Sequence, residues 1–363
     1  MESAAGESLQ FWSWAFLVLY VAALLALGAI GLRRVRGADD FATARGSYGP
    51  VLLAFAVTAG AASGATFLGL PGLAYAAGLP SLFAMVLYPL GVYTGILICL
   101  TVVSRAGSEF GSRSIPEYLG DRYQSNFLRV VAALFSLMLL IYIAGQLVAG
   151  LVMFELMLGL SEVWALAITV VVLLVYVILG GAHADILTDA SQGAVMLSIA
   201  IAVAVMACVG YGVGDGFVAV VGKMRALEPE TVGVLNPNHP LFDSWWDHIA
   251  VFIAHVPLGM LPHIGNKLWA LRDAGDRKRF VTFLFVLGLS LPLVTLGGLL
   301  ARAVLGDAFG FVFLAHHEAG DVLQEQQRDV ALAAQFNKVR AFLGGFAEQD
   351  AVVGDDAHGV AVD

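Results

Sequence analysis

The chain has 363 residues, 59% of them hydrophobic and 13% charged, with a mean hydropathy of +0.84 and a formal net charge of −9. Soluble domains carry about a quarter charged residues, so this composition belongs to a polytopic membrane protein, and the acidic balance argues against a nucleic-acid partner. The only two cysteines, Cys99 and Cys208, both lie in apolar runs, which supports neither a disulfide framework nor a thiolate metal site.

The first ten residues hold Glu2 and Glu7 but no Lys or Arg, so they lack the basic region of a cleavable signal, and Ser8–Leu32 reads as a retained first span. Gly46–Ser104 then runs 59 residues without a formal charge, long enough for two crossings of about 20 residues each. Its first half is interrupted by AGAASGATFLGLPG, in which Gly60, Gly64, Gly69, Pro71 and Gly72 fall where a spanning helix should be most regular. In hydrocarbon every backbone N–H and C=O needs a partner, so irregular backbone at that depth lines a cavity or binds something. The plainer alternative is that Gly60 and Gly64 form a GxxxG packing face.

SIPEYLGDRY follows, with Ser114 as an N-cap, Pro116 in the first turn and Glu117 three residues after the cap, as in a short helix on the membrane face. The next span, Val130–Phe154, carries Gln146 at mid-depth, where an unpaired amide is expensive. Its partner is a cavity water, a solute or a neighbouring helix, and Tyr142 shares its face at i−4. Val163–Ala184 and Ala190–Gly214 give two more spans, and the long connection Asp215–Asp247 ends in Trp245 and Trp246, placed as interfacial anchors. His248–Asn266 and Phe280–Ala301 complete eight spans. Their continuous apolar character excludes the alternation of an outer-membrane barrel, so the fold class is all-α.

Placing the N-terminus outside puts 13 of the 19 Lys and Arg on the cytoplasmic side, as the positive-inside rule favours. Eight spans of a multi-pass protein of the cytoplasmic membrane then leave the C-terminal tail outside. Residues 307–363 contain no apolar run near 20 residues and hold ten acidic residues against Arg328, Lys338 and Arg340. They read as an acidic tail, disordered or non-native, from a truncated or frameshifted gene or from a short form of the protein.

ATARGSYGPVLLAFAVTAGAASGATFLGLPGLAYAAGLP, SIPEYLGDRY, YIAGQLVAG, LGGAHADILTDASQ and PHIGNKLWALRD, in that order, resemble the sodium:solute symporters. The resemblance implies a leucine-transporter-type fold with an extra N-terminal helix (8–32), a first five-helix repeat (50–214) and an incomplete second, inverted repeat (246–305), together a transporter domain of residues 1–306. Three core helices are missing from that plan. Aligned on GLPG, the family's sodium-binding carbonyls fall on Ala59 and Ala62 and a neighbouring polar position on Ser63. Its remaining ligands have no counterpart, so half of the site is present.

Asp189 corresponds to the sodium exit path, or simply caps a helix together with Thr188. Asp185 is an extra acid without a role. The solute-facing positions implied are Ser63, Thr66, Gln146 and His263. For Thr66 the alternative is a back-bond to the i−4 carbonyl, and for His263 a satisfied core histidine. His255 reads as a core residue, and Asn266 is a weaker candidate for the lining. Proline carriers place an aspartate where this chain has Ala61, so the expected solute is pantothenate, a monocarboxylate or similar rather than proline.

The function implied is sodium-coupled uptake of a small organic solute by alternating access, with sodium as coupling ion and no other cofactor or metal. Its partners are sodium, the solute and the bilayer. No G-x-S-x-G, H-E-x-x-H or Walker loop indicates an enzyme, so no catalytic residue is expected. A non-transporting remnant and a solute-sensing membrane module are the alternatives.

Overall fold

A computed structural model describes residues 2–306; the expectations for 307–363 lie outside the described residues. Helix α1 (Glu2–Arg34) makes the first crossing, and the six-residue α2 (Ala38–Thr43) follows it. The second crossing is broken into α3 (Pro50–Ala61), a π-helical turn (Ala65–Gly69) and α4 (Leu70–Ala77), with a bend of 70°. Helix α5 (Ser81–Phe110) crosses third. The short α6 (Ile115–Tyr123) leads into α7 (Asn126–Ser136) and α8 (Leu139–Leu158), which together form the fourth.

Helix α9 (Glu162–Val209) runs for 48 residues. At 1.5 Å per residue that is roughly 70 Å, over twice the ~30 Å hydrocarbon core, so it supplies two crossings. The expected interruption between Ala184 and Ala190 is absent. The chain turns instead at Gly181, whose φ of 51° and ψ of −139° lie outside the helix. Only glycine holds that φ without strain, and a Cβ there would also strike the Phe41 carbonyl and ring. Downstream of the turn, Asp185 and Asp189 lie inside the helix.

In the long connection stand α10 (Gly216–Leu227) and a 3₁₀ turn (Pro229–Val232). The seventh crossing is broken like the second: α11 (Trp245–His255), a 3₁₀ turn (Pro257–Met260) and α12 (Pro262–Leu268), with a bend of 59°. Helix α13 (Arg277–Ser290), a 3₁₀ turn (Leu291–Val294) and α14 (Thr295–Leu305) form the eighth. Breaks thus fall in crossings five apart, the second and the seventh.

Local chemistry explains the caps. Ser114 accepts from the Glu117 amide at 3.3 Å, as the sequence predicts, while the Glu117 carboxylate accepts from the Arg113 amide at 2.7 Å. Ser244 and Asp247 form a full capping box that starts α11, and Trp245 and Trp246 beside it are exposed.

Connections after crossings one, three and seven meet at one end. Arg45 donates to the Ser112 carbonyl at 2.7 Å, the Tyr48 amide to the Ala270 carbonyl at 3.0 Å and the Arg272 amide to the Tyr48 carbonyl at 2.9 Å. This is the end that collects the basic residues. The Leu79 amide donates to the Thr231 carbonyl at 2.8 Å, and Asn236 to the Ala77 carbonyl at 3.0 Å, tying together the opposite ends of α4 and the long connection.

At the basic end His183 Nε2–H donates to Asp40 at 3.0 Å, and its Nδ1 accepts from the Tyr48 hydroxyl at 2.9 Å. The carboxylate is an acceptor only, which fixes this tautomer. Burial pushes the Asp40 carboxyl up. The His183 hydrogen bond, the Arg36 amide and the Arg36 charge outweigh it and hold Asp40 below the ordinary aspartate value of 3.8. Between the ends, Leu53, Val57, Ile96, Ile186, Leu268 and Phe280 pack in one core that joins α3, α5, α9, α12 and α13. Lipid is as apolar as these side chains, so close packing rather than burial from water holds them together.

Candidate functional site

The break in the second crossing is two residues wide. Helix α3 stops at Ala61, and Ala62, with φ −72° and ψ 123°, is extended and turns its carbonyl off the helix direction. The Ser63 amide donates to the Thr66 hydroxyl at 3.3 Å, and the Gly64 amide to Gln146 Oε1 at 2.7 Å. Those two amides therefore serve side chains instead of the carbonyls of Ala59 and Gly60, four residues back, whose oxygens are released from the helix ladder. Released carbonyls at the C-terminal end of a half-helix are suited to a hard monovalent cation, and the half-helix dipole adds to the attraction.

Gln146 thereby has its partner. The amide that sequence alone left open caps the broken helix across from α8. None of Gly60, Gly64, Gly69 and Gly72 has a positive φ, and Gly60 and Gly64 serve close approach instead. A Cβ on Gly64 would stand 2.9 Å from the Ala149 methyl and 3.3 Å from Gln146 Oε1. On Gly60 it would meet Lys267 Nζ at 3.0 Å and Asp189 Oδ2 at 3.1 Å. The two glycines face different neighbours and α3 ends between them, so they do not make a GxxxG face. Gly69, Pro71 and Gly72 lie where the helix resumes, and Pro71, near the start of α4, has no amide to lose there.

On one side of the break is a cavity of about 120 Å³, lined among others by Gly60, Ala61, Ser63, Tyr142, Gln146 and His263. The His263 ring stacks on Tyr142 with centroids 6.1 Å apart. Three of the solute-facing positions expected from sequence thus converge. Thr66 lies off this wall: it is buried, and its hydroxyl donates to the Tyr88 hydroxyl at 3.2 Å rather than back to a carbonyl. His255 bonds the Val251 carbonyl, as a structural histidine would, yet it also lines the cavity and packs edge-on against Tyr88 at 4.6 Å. Nothing in the periodicity of α5 or α11 singles out Tyr88 or His255. Asn266 Oδ1 is buried without a hydrogen-bond partner among the described residues.

On the other side of the break the Lys267 ammonium bonds Asp189 and, at 3.1 Å, Asp185. Asp189 is not at a helix start, and Thr188 back-bonds the Ala184 carbonyl at 2.9 Å instead of capping. Lys267 is one of the 13 basic residues that the positive-inside count places on the cytoplasmic side. Its direct junction with an apolar run was the signal that it lies at depth. A lone ammonium or carboxylate there is costly, which is why the three groups are drawn together.

Residues 41–326, well over half of the chain, match the sodium:solute symporter family, and the match passes Gly306 into the segment read as an acidic tail. The osmoregulated proline transporter OpuE of Bacillus subtilis (strain 168) is 25% identical over 82% of this chain and 59% of its own length. The sodium/proline symporter of Salmonella typhimurium is 29% identical over 60% of this chain and 44% of its own, and that of Escherichia coli (strain K12) 27% over 58% and 42%. The chain therefore spans about half the length of these curated relatives. A solved structure of a Na+-coupled sialic acid symporter, substrate-bound and outward-open, is 18% identical, with a TM-score of 0.48 over 80% of this chain and 69% of that one. On the family match, this chain belongs to the sodium:solute symporter family, whose members are transporters rather than enzymes.

Proposed function

We propose that this chain serves sodium-coupled uptake of a small organic solute by alternating access, with the basic end facing the cytoplasm and both the N-terminus and the tail outside. The observation that carries the proposal is the two-residue break at Ala62 and Ser63, which releases the Ala59 and Gly60 carbonyls from the helix ladder next to a cavity lined by Gly60 and Ser63, with Asp189 close to Gly60. In this reading the carbonyls of Ala59 and Ala62 and the Ser63 hydroxyl hold sodium, and Asp189 receives the ion on its way out. Ser63, Gln146 and His263 face the solute, and Thr66 braces the break from behind.

The cavity wall offers hydroxyl, amide and imidazole groups and no carboxylate, which suits a compact solute carrying its own carboxylate. The named relatives put proline first in a test panel. Ala61, in place of an aspartate, keeps pantothenate and the monocarboxylates in it. The test is uptake into proteoliposomes of proline, pantothenate and short-chain carboxylates, with sodium replaced by choline. Accumulation of one solute in sodium alone is expected. Equal uptake in both salts refutes coupling, and no uptake of any solute refutes transport by this chain.

A further inference from the structure

The geometry points to Lys267 as a tethered cation that trades places with sodium at Asp189: the ammonium leaves the carboxylate when the ion arrives and returns when the ion departs. The inference rests on the sodium-coupled reading above and adds to it a residue that tunes release.

Three observations converge. Lys267 is almost wholly buried, and its ammonium bonds both Asp185 and Asp189. It also lies against the break itself, since a Cβ on Gly60 would come within 3.0 Å of its nitrogen and 3.1 Å of Asp189 Oδ2. An ion that reaches Asp189 therefore meets a carboxylate already bonded to the ammonium. Finally, Lys267 sits in α12, beyond the bend of the seventh crossing, whereas both carboxylates sit in α9. The contact spans the two halves of the repeat plan, so a rocking motion of one half against the other can lengthen it.

Charge explains why such a residue belongs there. Two carboxylates and one ammonium leave one net negative charge, which a single sodium ion neutralises. Without the lysine an empty path would keep two uncompensated carboxylates, Asp189 mostly buried and Asp185 partly exposed, and hold sodium tightly, a good trap but a poor exit. With it, Asp189 stays paired whether or not sodium is present, and the ion is bound weakly enough to leave. Asp185 gains a role in the same scheme: it keeps the ammonium nearby while sodium occupies Asp189.

The experiment compares thermal unfolding of the purified chain in detergent across graded sodium chloride, with choline chloride holding ionic strength constant. The variants are Lys267→Arg, Lys267→Gln, and the double variant Lys267→Gln with Asp185→Asn. The double variant keeps the net charge of the wild type and removes the competitor together with its Asp185 tether, so it also answers for Lys267→Gln should that protein fail to fold. The expected result is a half-saturating sodium concentration lowered about tenfold in Lys267→Gln and in the double variant, with Lys267→Arg near wild type. Adding Asp189→Asn to the double variant should abolish the gain. A sodium response identical in wild type and double variant overturns the inference while leaving sodium coupling intact, whereas a response in none of the proteins overturns the inference and counts against sodium binding by this chain. A response that appears in the double variant and not in the wild type supports the competition and counts against sodium coupling in the native chain.

Discussion

Replacing Gln146 tests the anatomy of the break most directly. Its Oε1 accepts from the Gly64 amide at 2.7 Å, and that amide has been turned away from the helix ladder. An unpaired buried donor costs about 1–3 kcal/mol. Gly64 and Gln146 are each half-buried beside a cavity of about 120 Å³, so a polar replacement partner for the amide is at hand if space is opened. Gln146→Ala opens that space for water, which places its cost at about 1 kcal/mol, the lower limit of the range. Gln146→Leu fills the space with methyl groups and excludes the water, so its cost should approach about 3 kcal/mol although it preserves side-chain volume. The assay is equilibrium unfolding in mixed micelles on titration with dodecyl sulfate, followed by circular dichroism. The discriminating result is that the larger side chain is the worse one. Should both variants fall within about 0.5 kcal/mol of wild type, or should alanine be worse than leucine, the hydrogen bond is not what holds the break.

Gly72→Ala should be neutral or stabilising by up to about 1 kcal/mol, because it sits in α4 with nothing within 4 Å of the added Cβ, whereas Gly64→Ala should disrupt the break against Ala149; parallel unfolding curves would show the two diverging. Gly181→Ala combines a φ of 51° with collision against Phe41, and a loss of at least about 1–3 kcal/mol is expected, with wild-type stability in the variant disproving the turn. Asp40, with its folded pKa below the ordinary 3.8, contributes stability that is present above that pH and disappears as pH falls through the folded value. Asp40→Asn should therefore flatten the acid limb of a stability-versus-pH profile, and an unchanged limb would count against the His183 pairing.

Much of the architecture was legible because hydropathy and charge are local properties. The long apolar spans, the break within Ala59–Gly72 and the cap at Ser114 all follow from residues adjacent in sequence. The turn between the fifth and sixth crossings was misplaced for the same reason: Asp185 and Asp189 looked like a loop, since nothing near them in sequence neutralises them. Lys267 does so from α12, and the real turn at Gly181 carries no charge to announce it. The break that carries the candidate site was legible in its glycines and Pro71, whereas the proposed sodium positions Ala59, Ala62 and Ser63 come from the family resemblance. The site was not legible where side chains from other helices complete it, as Tyr88 and His255 do.

The sequence by itself determined that the chain crosses a membrane several times and where a crossing must fail to be a regular helix, because the cost of unpaired backbone in hydrocarbon acts on each segment alone. Only the tertiary structure decided which groups answer that cost. The Gly64 amide finds Gln146 across 82 residues of sequence and Asp189 finds Lys267 across 78, and pairings at that separation are fixed by how the helices pack, not by any pattern within one of them.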